Sequence, residues 1–338
     1  MERRIMSLGR SSMVISLPKN WMQLNELKKG DVVSFAIQRD RSLAVYPSAE
    51  KKVKQKDITL RIGQNDEEAL ITQKIIGSFL SGYSGITLIS DKIFTIPQRK
   101  AVRNISSRLY MRIMESDSKG IYLQTLTDES KASLEQAIQR MQLISHSMCE
   151  DIFTALKNQD IALAKSVFSL DDDVDHFSFF ILRLLRNAAQ DPVLANELRV
   201  DPLDCMDHQT LVYRIKHAAD YTADIARHMI MIDGRQLKIP DDVLELLVIA
   251  GTEAVELYVK AANAFFSKDV IVAVEIMKYQ KIIEQMDQEI AAKAFTGKQK
   301  NAELVCAICS IRDNIKRIAD TAANIAEIAV NRSFKVST

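Results

Sequence analysis

Beyond residue 128 apolar side chains recur every three or four positions. Leu211, Ile215, Ala218, Thr222, Ile225 and Met229 follow a 4-3-4-3-4 spacing, and Ile311, Ile315, Ile318, Ala322, Ile325 and Ala329 repeat it. That spacing is the buried stripe of a helix packed in a bundle. It predicts six helices, over 129–158, 160–190, 203–232, 241–267, 269–296 and 299–331, with Asp160 and Asp269 where N-caps belong. The breaks fall at Asn158-Gln159-Asp160, Pro192 and Pro202, Asp233-Gly234 to Pro240, Ser267-Lys268-Asp269 and Gly297. Three helices, a polar link and three more give two antiparallel three-helix bundles, at 128–232 and 240–332. The stretch from Ile215 to Ala226 recurs 100 residues later as Ile315 to Ala326, with seven of twelve positions identical. Fixed-period self-similarity marks a repeated structural unit.

The front of the chain has another rhythm. Seven of ten glycines fall in the first 120 residues, and 241–338 holds no proline. Met13-Val14-Ile15 is a β-rich run ending near Pro18, and Asn20–Leu27 has room for two helical turns, closed by Lys28-Lys29-Gly30-Asp31. Val33, Phe35 and Ile37 alternate with Ser34, Ala36 and Gln38, the period of a half-buried strand. Arg39–Ser42 then turns the chain into Leu43–Tyr46. Short strands bury little, so a unit over 1–48 calls for a second copy, with Trp21 and Phe35 in its core. Glu50–Lys56 reads as a charged linker. Residues 57–126 read as a small α/β unit: strand Ile58–Ile62, helix Asp66–Leu80, strand Gly85–Ile89, a helix opened by Pro97 and running to Leu109, and strand Gly120–Leu126. Gly82 and Gly85 do not form a phosphate loop, which leaves a spacer or a ligand-sensing domain.

Composition narrows the class. The chain has 338 residues, 47% of them hydrophobic, enough for two or three folded domains. Its most apolar stretch, Leu244–Val259, is broken by Glu245, Glu253 and Glu256, so neither a membrane span nor a signal peptide is expected. Four cysteines are too few for a disulfide scaffold, and a cytoplasmic location follows. The net charge of +1 conceals twelve Lys/Arg against five Asp/Glu in residues 1–56. A basic front joined to an acidic back points to different partners at the two ends.

Two resemblances emerge from these residues. Lys216-x-x-x-Asp220 and Lys316-x-x-x-Asp320, with Asn324-Ile325-Ala326-Glu327 and its weaker twin Asp224–Arg227, make 128–332 resemble the PhoU phosphate uptake regulators. Leu8-Gly9-Arg10, Val14-Ile15-Ser16-Leu17-Pro18-Lys19 and Lys29-Gly30-Asp31-Val32-Val33 make the front resemble the AbrB/MazE/SpoVT swapped-hairpin DNA-binding domains. The combination resembles the archaeal form of PhoU-related proteins. It implies a multidomain fold: a swapped-hairpin β domain, a small α/β domain, then two repeated, mainly α, three-helix bundles. It also implies a dimeric regulator of phosphate uptake or signalling. Such a protein binds DNA through its front and a phosphate transporter subunit or signalling protein through its bundles. The alternatives are an adaptor whose front only dimerises and an antitoxin-like module, against which the large bundles argue.

Arg3, Arg4, Arg10 and Lys19 flank the first strands of the front, and charge asymmetry together with the resemblance points to DNA contact through them. The resemblance assigns metal to an acidic motif whose first carboxylate is here Lys216 or Lys316. The surviving acids are Asp172, Asp175 and Asp220 in the first repeat and Glu284, Asp287 and Asp320 in the second, beside Asp171 and Asp173. A lysine at both motif positions favours a polar bundle seam, holding divalent, iron or zinc ions weakly at most, with no certain cofactor. Cys306-x-x-Cys309 lacks a second pair at zinc spacing and reads as two small core thiols. The five histidines are scattered and build no nucleophile–base set, so an enzyme is not expected.

Overall fold

A computed structural model describes residues 2–9, 12–37, 42–47, 56–126, 133–296 and 301–335. The chain divides into two units, one up to Gln55 and the other from Lys56 to Ser337. In the first unit β1 (Met6–Leu8) pairs antiparallel with β2 (Ser12–Val14), α1 (Lys19–Leu24) follows, and β3 (Ser34–Ile37) pairs antiparallel with β4 (Leu43–Tyr46). Helix α1 is shorter than its pattern predicts, because Glu26 takes a left-handed φ of 55°. Gly30, at φ 101°, closes the turn in which the Asp31 amide bonds the Lys28 carbonyl at 3.1 Å. The two hairpins form separate two-stranded sheets, and no described residue up to 47 is buried. In one copy Trp21 is half-buried and Phe35 is 56% exposed.

The second unit opens with β5 (Asp57–Arg61), α2 (Glu68–Leu80), β6 (Gly85–Ile89), α3 (Ile96–Arg108), β7 (Met111–Ser116) and β8 (Gly120–Thr125). The sheet order is β5-β6-β8-β7, with β5 and β6 parallel and the other pairs antiparallel. Ile71, Ile75 and Phe79 of α2 and Val102 and Ile105 of α3 share one core with Ile86, Leu88, Ile121 and Leu123 of the sheet. Strand β7 was not foreseen. Only Met111 and Ile113 alternate inward before a bulge between Ile113 and Glu115 breaks the period.

Then come α4 (Leu134–Asn158), α5 (Ile161–Ala188), the short α6 (Pro192–Glu197), α7 (Pro202–Gly234), α8 (Asp241–Ser267), α9 (Val270–Thr296) and α10 (Ala302–Ser333). The first residues expected in α4 and α10, 129–132 and 299–300, lie outside the described residues. Asp160 accepts from the Leu163 amide and Asp269 from the Ile271 and Val272 amides, so both are N-caps. Each follows a left-handed residue, Gln159 or Lys268, and the same turn serves both repeats. Helices α4, α5 and α7 form one bundle and α8, α9 and α10 the other, with α7 against α10 and α4 against α8 over one continuous core. Asn314 bonds Asp224 at 2.7 Å and Arg317 stacks on Tyr221, so α7 and α10 run antiparallel about the buried, repeat-equivalent Ala219 and Ala319. Buried polar pairs fix α4 in place: Tyr258 donates to Ser145 at 3.0 Å, and Cys149 and Thr222 lie 3.1 Å apart.

Cys306 and Cys309 are not the core pair expected: the first is exposed and the second half-buried. Leu304, Ala307, Ile308 and Ile311 hold the inward positions of that stretch. Among the described residues no helix is long and apolar enough to cross a membrane.

Candidate functional site

Helix α5 carries Asp171 and Asp175 into the seam of the first repeat, opposite Lys216 and Asp220 of α7, with Asp172 exposed beside them. Lys216 and Asp220 share a face because they are four residues apart. The Lys216 ammonium bridges them, pairing with Asp175 and, at 2.9 Å, with Asp220. Burial works against its charge, but the bonds from Asp175 and Asp220 prevail and hold its pKa above the usual lysine value. The other Asp175 oxygen receives Arg108 at 2.5 Å, and the same guanidinium nitrogen lies 2.9 Å from Asp172. Asp175 is thus a buried carboxylate held between two cations. Asp171 has a buried Oδ1 with no hydrogen-bond partner, and burial, then Asp220 and Asp175, push its pKa up to about 6.

Arg108 ends α3, and sequence reading did not single it out. A helix C-terminus favours a cation there. Its approach is set by a stripe along α5: Asp172, Asp175, Phe179, Arg183 and Arg186 all face the α/β layer. Arg183, 1% exposed, donates to the carbonyls of Phe79 at 2.5 Å, Tyr83 at 2.8 Å and Gly82 at 3.2 Å. Its guanidinium also lies 4.6 Å from the centre of the Phe79 ring, while Arg186 donates to Leu80 at 3.0 Å. Two arginines thereby cap the C-terminus of α2 from another element. Gly82 permits it: its φ is 89°, and a Cβ there would overlap Asn187. Tyr110 packs edge-on against His176 and Phe180 beside this contact.

The second repeat is wired differently. Asp287 pairs with Arg312 at 2.9 Å, Lys316 and Asp320 lie one turn apart on α10, and Glu284 is exposed. Asn324 donates to the Asp320 carbonyl at 2.6 Å. The structure therefore brings Asp172, Asp175 and Asp220 together, and it places Glu284, Asp287 and Asp320 on the facing α9 and α10. In the first unit Arg3, Arg4 and Lys19 are exposed, the arginines just before β1 and Lys19 opening α1. Arg10 lies outside the described residues.

Two copies of one three-helix unit, joined through equivalent long helices over a shared core, define a tandem-repeat bundle protein. Residues 138–229 and 247–329 each match the PhoU domain, and the chain belongs to that family. Its fold is similar to PhoU from Pseudomonas aeruginosa, at 20% identity and a TM-score of 0.51, over 58% of this chain and 93% of that one. It is also similar to PhoU from Streptococcus pneumoniae, at 18% identity and a TM-score of 0.52, over 61% and 95% of the two chains. The chain's sequence matches no curated protein.

The metal that the resemblance implies fits these residues poorly. Both Asp175 oxygens and one oxygen each of Asp172 and Asp220 are already engaged by Arg108 or Lys216. Among the described residues no three His, Cys, Asp or Glu side chains are grouped to hold an ion.

Proposed function

We propose that this chain is a cytoplasmic, dimeric regulator of phosphate uptake or phosphate signalling, acting by binding rather than catalysis. The observation that carries the reading is the pair of PhoU domains joined to a separate, basic N-terminal unit. The similar S. pneumoniae protein is described as a phosphate transport system regulatory protein. In this reading the bundles dock a transporter subunit or a signalling partner. The N-terminal unit dimerises by covering the apolar side chains that one copy leaves exposed, Phe35 and Ile37 among them. The doubled unit then presents Arg3, Arg4, Arg10 and Lys19 to DNA, as its AbrB-like motifs suggest.

A mobility-shift assay of the full chain on its own upstream DNA, at graded salt, tests this. Retardation that weakens as salt rises is expected. The exposed apolar face also favours a second reading, a dimerising adaptor that docks on a transporter without touching DNA. Dimers that show no salt-dependent shift would select it.

A further inference from the structure

The acidic seam of the first repeat sets Asp171 and Asp175 of α5 against Asp220 of α7, with the exposed Asp172 at its edge. Free carboxylate oxygens attract hard divalent cations, but among the described residues no three of these side chains are grouped to hold one. The oxygens here are engaged. Lys216 lies between Asp175 and Asp220, and Arg108 between Asp175 and Asp172. A divalent ion seeking these oxygens would have to displace two positive charges and would be repelled by both at close range.

We propose that Lys216 and Arg108 are built-in counter-ions that take the place of a divalent metal in neutralising these carboxylates, and that Arg108 makes this neutralisation a latch between the α/β layer and the first PhoU repeat. The two cations differ in origin. Lys216 belongs to the repeat itself, one turn before Asp220, and any loose helix could supply it. Arg108 comes from outside the repeat, 67 residues before Asp175 in the chain. Packing, not side-chain reach alone, holds it in place: Arg183 and Arg186 clamp α2, and Phe179 packs into the α/β core. Docking of the layer therefore delivers Arg108 to the carboxylates. Metal and the docked arginine compete for the same Asp175 and Asp172 oxygens, so each weakens the other by the same factor.

The test uses the full chain purified without chelator, with manganese as the probe, reading metal content and thermal midpoint. Wild-type protein should hold well under one ion per chain at this seam, and millimolar manganese chloride should leave its midpoint unmoved. The double variant Arg108→Ala, Lys216→Glu frees the oxygens and adds a carboxylate. It should bind close to one manganese per chain and gain a manganese-dependent rise in midpoint, both abolished by adding Asp175→Asn. Lys216→Gln alone, which keeps the latch, covers the case in which the double variant fails to fold, and a smaller manganese-dependent rise is expected of it. Two results would overturn the proposal. One is wild-type protein carrying a tightly held ion that Asp175→Asn removes. The other is a folded variant, judged by circular dichroism, that manganese does not stabilise.

Discussion

Burial divides the four thiols into two reactive classes. Cys149 is fully buried beside Thr222, and burial pushes its pKa up to about 12; Cys205 is likewise pushed up to about 11. Neither can supply much thiolate at neutral pH. Cys306, on the solvent side of α10, is exposed. Alkylation of native protein at pH 8 should label Cys306 first and leave Cys149 and Cys205 untouched until the chain unfolds, as peptide mass mapping would show; early labelling of Cys149 would contradict the packing. His208 gives a second residue-scale test. Burial, then the Arg332 charge, lowers its pKa, while its Nδ1 lies 2.6 Å from the Asp204 carbonyl and its ring meets Phe265. The unfolded imidazole takes up a proton near pH 6.5, and the folded one only at lower pH. Stability should therefore fall as pH drops below about 6.5. His208→Gln should reduce that loss between pH 7.5 and 5.5 in thermal melts, with a remainder from His217 and His228, whose pKa values burial also lowers. The residues legible from sequence were those with local partners. Lys216 and Asp220 declare each other by spacing, whereas Arg108 meets Asp175 across 67 residues, and no periodicity joins them.

Among the elements, the long helices were readable because their apolar stripes and Asp caps agree. The docking face of α5 was not. Asp172, Asp175, Arg183 and Arg186 carry the pattern of a solvated helix side, yet Arg183 is almost wholly buried because the carbonyl end of α2 arrives there. Gly82, unremarkable as a phosphate-loop candidate, is needed as the left-handed turn that exposes those carbonyls. Arg183→Ala should strand three carbonyl contacts and open a void, costing roughly 2–4 kcal/mol in urea unfolding. A loss within about 0.5 kcal/mol would mean that the layer is held by other contacts. Strand β7 and helix α6 escaped notice because each offers too few periodic positions. The Cys306/Cys309 pair was misplaced for a related reason: within a strongly apolar run, composition alone does not say which side of the helix faces out.

At the scale of the whole molecule, the internal repeat was the strongest signal in the chain, and the match of both halves to the PhoU domain agrees with it. The N-terminal unit was legible as strands and turns. Its short strands call for a second copy, and Phe35 and Ile37 are exposed in one copy. If a second copy covers them, deleting residues 1–48 should leave folded bundles of lower mass by light scattering. An unchanged oligomeric state would move the dimer contact to the bundles. The proposal that the basic front of this PhoU-family chain binds DNA is tested by the salt dependence of binding. For full-length protein on its upstream DNA, log affinity should fall linearly with log salt. Arg10→Ala should lower that slope by about 0.9 while leaving the mass and helical content unchanged. Equal slopes for the two proteins, or no measurable affinity at low salt, would contradict it.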